Sequence, residues 1–187
     1  MFSGKIEDYI LFEDKEIIVC RKPAGIAVQN ARIGAMDLES SLKNYLAMQD
    51  GGGRRIPYLA VIHRLDQPVE GVLVFAKEKK SAAVLTKQLS EGTLNKQYYA
   101  VLCGYPDASE GELVDYLRKE GSVAVAVTGR EKNFPDAKIA KLHYSILEKI
   151  NQPMPLALAD VCIETGRFHQ IRVQFAHAGW PLLGDTK

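Results

Sequence analysis

The chain has 187 residues, of which 47% are hydrophobic and 25% charged, and a net charge of +1. This is enough material for one domain with its own core, and it excludes both a disordered polar tail and a chain that grips nucleic acid by overall charge. The opening MFSGKIEDYI has no apolar leader core and no apolar run approaches the ~18 residues of a spanning helix, so a cytoplasmic protein without membrane contact is expected. In chain order, EIIVCRKPAGIAVQ (16–29) reads as a short strand, a Pro-Ala-Gly turn and a second short strand. DLESSLKNYLAMQ (37–49) places Leu38, Leu42, Tyr45 and Leu46 at helical spacing behind Asp37 as N-cap, and a DGGGRR loop with Arg54 and Arg55 follows. YLAVIH (58–63) and GVLVFAK (71–77) read as buried strands, and KKSAAVLTKQLSEG (79–92) as a helix closed by Gly92. KQYYAVLCG (96–104), SVAVAV (122–127), KIAKLHYSILEKI (138–150) and LALADVCIE (156–164) are further strands, and the chain then turns through Gly166 into a short helix ending at Gly179. Strands outnumber helices and often follow one another without a helical crossover. The expected fold is α+β, with a mixed, mainly antiparallel sheet and flanking helices.

Cys20, Cys103 and Cys162 are scattered, odd in number and without CxxC spacing, which argues against a disulfide framework or a zinc site. They read as small buried side chains in a reducing compartment. His63, His169 and His177 lack the i, i+4 spacing of a helical zinc site, and His143 reads as structural, so no metal is expected. The nearest basic clusters, Arg54-Arg55 and the series Lys77, Lys79, Lys80 and Lys87, read as solvated surface.

Two stretches are dense in functional groups. HRLDQPVEGVLVFAK (63–77) sets Asp66 at the end of a strand beside Arg64. An opposite charge nearby keeps a carboxylate ionised, which suits a nucleophile or an electrostatic stabiliser, although an aspartate here can equally accept backbone N–H bonds in the Asp-Gln-Pro turn. In GRFHQIR (166–172), Arg167, His169, Gln170 and Arg172 crowd the start of a helix, a setting suited to phosphate or carboxylate, or to plain surface salt bridges.

Taken together and in order, ILFEDKEIIVCRKPAGIAV, HRLDQPVEGVLVFAK, KQYYAVLCG and TGRFHQIRVQFAHAGWPLLGD closely resemble the RluA-type pseudouridine synthases, from about Ile10 to the end of the chain. The resemblance implies an isomerase acting on a uridine of structured ribosomal or transfer RNA, with no cofactor and no obligate protein partner. It implies that Asp66 is the catalytic aspartate, that Tyr98 packs on the target base and that Arg172 pairs with the aspartate. Arg64 is implied to open the RNA around the flipped base, with Lys96, Arg167 and His169 as further substrate contacts. Many relatives have Thr-Ser where Val69-Glu70 stand, and Thr where Phe168 stands, which bears on substrate choice. The expected organisation is a single catalytic domain over 1–187, without the family's C-terminal end and without an S4-type RNA-binding domain. A non-catalytic RNA-binding or RNA-folding module of the same fold is the alternative.

Overall fold

The computed structural model describes residues 3–30, 36–51, 56–129 and 133–185, which fall into two compact units divided after Thr93. The Arg54-Arg55 pair lies outside the described residues. Among the described residues every strand pair is antiparallel, in one sheet per unit, so the α+β expectation holds.

The first unit contains β1 (Ile10–Glu13), β2 (Ile17–Lys22), β3 (Ala60–Val61) and β4 (Gly71–Ala76), in the order β1-β2-β4-β3. Ile18 and Cys20 from β2 and Leu73 and Phe75 from β4 point to one face of this sheet. The helix α1 (Leu38–Gln49) contributes Leu38, Leu42 and Leu46 to the same core. As expected, Asp37 caps α1, its carboxylate accepting the Ser40 N–H at 2.7 Å. Helix α2 (Lys79–Ser90) follows β4 and gives way to Gly92 at φ +73°.

Residues 26–29 are not the expected second strand. Ile26 and Val28 are buried, but the carbonyls of Ala27 and Val28 accept the N–H groups of Leu38 and Glu39, which open α1. The hairpin partner of β2 is instead β1, upstream, and its other neighbour is β4.

The second unit is a five-stranded sheet in the order β5-β9-β8-β6-β7. Its strands are β5 (Lys96–Cys103), β6 (Glu110–Glu120), β7 (Val123–Val127), β8 (Lys138–Ile150) and β9 (Leu156–Ile163). One face buries Leu102, Leu142, Ala159 and Val161 together with Phe175 from α3 (Gln170–His177). No helix among the described residues is long and apolar enough to cross a membrane.

Candidate active site

Residues 62–70 link β3 to β4 and carry the His63-Arg64-Leu65-Asp66 run. Leu65 packs against the core of its unit, and Gly71 makes room for it: a Cβ there would lie 2.9 Å from Leu65 Cδ1. With the leucine anchored, Arg64 is exposed and Asp66 half-buried. The turn after Asp66 closes when the Val69 N–H donates to the Asp66 carbonyl at 3.0 Å. Gln67 then ties this loop to residues 22–25. Its carbonyl accepts from the Gly25 N–H at 2.8 Å, and its side-chain amide donates to the Gly25 carbonyl at 3.0 Å.

Lys22 completes the attachment. It is 0% exposed, and its Nζ donates to the carbonyls of Pro23 and Gln67, each at 3.0 Å. Burial lowers its pKa, while the negative charges of Asp66 and Glu70 pull it back up. Lys22 is therefore a cation that acts on Asp66 within the first unit. Sequence reasoning missed it, because Arg-Lys before a proline reads as surface. The available signal was alternation: Ile18, Cys20 and Lys22 share one face of β2, and the first two are core.

In the second unit Lys96 and Tyr98 share one face of β5, and Tyr98 is half-buried against the cluster containing Ala100 and Leu102. Tyr99 points to the other face and is 74% exposed. Gly166 lies against Lys96, with its Cβ position 3.4 Å from the Lys96 Nζ. Burial lowers the Lys96 pKa, opposed by Cys162 and assisted by the charge of Arg167. Lys96 and Arg167 thus meet at one end of the sheet.

His169 caps the start of α3 with φ +54°, a left-handed conformation few non-glycine residues adopt, and its ring stacks on Phe168 at 3.7 Å between centroids. Gln170 holds this turn from beneath. Its Oε1 accepts from the Thr165 hydroxyl at 2.8 Å and the Arg167 N–H at 3.0 Å, and its Nε2 donates to the Lys141 carbonyl at 2.9 Å. Gln174, also buried, donates to the Leu113 carbonyl at 3.0 Å and to Asp115 at 2.9 Å. These two glutamines rivet α3 to the sheet, a structural role that the sequence reading, which grouped Gln170 with the charged residues, did not foresee.

Arg172 lies on α3 and grips Asp185 with both edges of its fork: Nε donates to Oδ2 at 2.8 Å and a terminal nitrogen donates to Oδ1. Of the expected site residues, Arg64 and Asp66 belong to the first unit, and Lys96, Tyr98, Arg167, His169 and Arg172 to the second.

The cysteine expectation needs correction. Cys20 is buried, its thiol pushed up to about 12 by burial, but Cys103 is only partly buried and Cys162 is exposed. Cys162 occupies an even position of β9 beside His143 of β8, on the open face of the sheet. On that face Glu112, His143 and Glu164 bring three donor atoms within 4.8 Å of one another, a grouping across strands that a search for helical spacing does not see. His143 is thus exposed, and its hydrogen bond to Glu164 at 2.7 Å holds that carboxyl below the usual range.

Residues 16–177 match the RNA pseudouridylate synthase family, and the chain belongs to that family, whose members are isomerases acting on RNA. It is 33% identical to the uncharacterized RNA pseudouridine synthase YhcT of Bacillus subtilis, over 98% of this chain and 60% of that protein. It is 32% identical to the ribosomal large subunit pseudouridine synthase D of Xanthomonas campestris, over 94% of this chain and 50% of the other. The chain thus spans between half and three-fifths of the length of these curated relatives. Among solved structures it resembles human RNA pseudouridylate synthase domain containing 4, with a TM-score of 0.79 and 26% identity, covering 96% of this chain and 68% of that one.

Proposed function

We propose that this chain isomerises a uridine of structured RNA to pseudouridine, with Asp66 as the nucleophile. The observation that carries the reading is the attachment of the H-R-L-D loop in a member of this family: Leu65 in the core, the Asp66 turn closed on itself, and Gln67 tied to Lys22 and Gly25. A group that must meet a reacting atom gains from being held before the substrate arrives. Ribosomal RNA is the favoured substrate over transfer RNA, because relatives such as the Xanthomonas campestris protein are named for the large ribosomal subunit. A site of action in the cytoplasm fits that substrate.

The reaction breaks the C1′–N1 bond of uridine, turns the uracil and joins C1′ to C5, with the C5 proton released and a proton taken up at N1. A stacked base is out of reach, so it is first extruded at a cost of a few kcal/mol. Arg64, exposed beside the nucleophile, fills the vacated space by stacking and hydrogen bonding. Asp66 attacks the uridine at C1′ or at C6. Tyr98 supplies an aromatic face for the base and a hydroxyl near the departing proton, and Arg172 is the basic residue paired with Asp66. Lys96, Arg167 and His169 bind the substrate. These steps use side chains of this chain and call on no cofactor, membrane or obligate protein partner.

The experiment is tritium release from RNA carrying uridine labelled at C5, with pseudouridine mapping in total RNA from cells with and without the gene to find the target. Asp66→Asn should release no tritium while binding RNA normally. Turnover at the parent rate by this variant would remove Asp66 from the chemistry, and a parent chain that binds RNA without releasing tritium would point to the RNA-binding or RNA-folding module instead.

A further inference from the structure

We propose that a cleft in the second unit is a phosphodiester subsite that holds a segment of the RNA backbone. The proposal deepens the reading above, on which it rests for the identity of the polyanion.

The cleft has a volume of about 540 Å³ and is lined by Arg118 and Lys119 at the end of β6, Lys138 at the start of β8, Arg167 and Phe168 before α3, and Asp136. The Arg118 guanidinium is matched by Glu120. Among the described residues, Lys119, Lys138 and Arg167 therefore bring three positive charges to a concavity that Asp136 offsets by one. Arg167 is held in place by its Nε donating to the Ile139 carbonyl at 2.8 Å. The Lys119 ammonium sits 5.0 Å from the centre of the Phe168 ring, a contact that steadies a long side chain without consuming its charge.

Cations gathered in one concavity repel one another, and low-dielectric walls focus the resulting field on the space between them. An anion placed there offsets that cost. The chain as a whole carries only +1, so this field is local. It is also assembled from three separate stretches of sequence, so no run of basic residues announces it. Two of the four lysines in the series that the sequence does display are engaged elsewhere: Lys77 bonds Glu13 at 2.6 Å, and Lys87 pairs with Glu91 at 3.7 Å. The polyanion that the family handles is RNA, and a cleft of this size accommodates a backbone segment.

The test uses the 187-residue chain and a fluorescein-labelled uridine dodecamer, with affinity read by anisotropy from 50 to 400 mM KCl. Each single-strand phosphate contact contributes about 0.7 to the slope of log affinity against log salt. Replacing Lys119→Gln and Lys138→Gln together should flatten the slope by about 1.4, equivalent to roughly 25-fold weaker binding at 0.1 M if the two lines meet at 1 M. Both lysines are exposed, so the fold should survive, and Lys119→Arg with Lys138→Arg should keep the parent slope. An unchanged slope in the glutamine variant overturns the subsite, as does a parent chain that does not bind the dodecamer. The readout is binding and not turnover, so the two ideas fail separately. A parent that binds but releases no tritium sinks the isomerase reading alone, and an active parent whose glutamine variant keeps its slope sinks the subsite alone.

Discussion

Lys22 and Gln67 stand 45 residues apart in the chain, and the Lys22 Nζ donates to the Gln67 carbonyl at 3.0 Å from a position 0% exposed. A buried ammonium is tolerated only when its hydrogens are used, and here they fasten the loop after Asp66 to the turn after β2. Lys22→Met keeps most of the stem and removes both donors. The Pro23 and Gln67 carbonyls each lose a bond from a charged donor, worth about 1.5–3 kcal/mol, so urea denaturation should show a loss on that scale, together with a slower rate at saturating RNA. Stability unchanged in the methionine variant would mean that the lysine does not hold the loop.

Tyr98 and Tyr99 are neighbours in sequence on opposite faces of β5, one packed against the core and the other 74% exposed. Tyr98→Phe retains the ring and loses the hydroxyl. RNA should still bind while the rate falls by roughly 10²-fold or more, the scale of a lost proton-transfer group. Tyr99→Phe should match the parent. Single-turnover rates of the two variants decide it, and the reverse ranking would exchange their roles.

Arg172 has a demonstrated partner, Asp185, and a proposed one, Asp66. Two variants separate these relationships. Asp185→Asn weakens the grip on the segment after α3, so it should lower the melting temperature while leaving the single-turnover rate near the parent's. Arg172→Met should lower the melting temperature as well, but it also removes a cation and should slow isomerisation further than Asp185→Asn does. Arg172→Lys keeps the charge without the planar fork and should fall between. Equally low rates for Met and Lys would make Arg172 an RNA-orienting residue.

Elements whose pattern is local were legible before the structure. Helix α1 needed only Asp37 and the spacing of Leu38, Leu42 and Leu46, and α3 needed Gly166, Ile171, Phe175 and Gly179. Strand β6 was missed because Glu110–Glu120 carries charge on both faces: Glu112 points outward, while Asp115 turns inward to meet Gln174 and His177. Residues 26–29 misled in the opposite way, being apolar enough for a strand yet used to cap a helix. Of the site, the motif residues were named through the family resemblance. Lys22 left one local trace, its alternation with Ile18 and Cys20, whereas Gln170 and Gln174 are held by partners on other strands and nothing local separates them from surface glutamines.

The three cysteines give an inexpensive check on burial. The thiolate is the reactive form, and burial pushes the Cys20 thiol up to about 12, so at pH 8 it stays protonated and shielded. With a disulfide reagent in excess, the folded chain should show one fast equivalent from the exposed Cys162, a slower one from Cys103, and none from Cys20 until denaturant is added. Cys162→Ser should remove the fast phase. A fast phase that survives this change would place the exposed thiol elsewhere.

The Gly25 N–H, which donates to the Gln67 carbonyl at 2.8 Å, makes the loop's opening observable without any substrate. An amide in an exposed turn ordinarily trades its proton for deuterium quickly, whereas this one must wait for the two turns to part. Its exchange rate is therefore a clock for the parting of the Asp66 loop from its support. A variant could slow that clock and the isomerisation together, or only one of them, and the comparison would tell whether the loop acts as a fixed platform or as a gate.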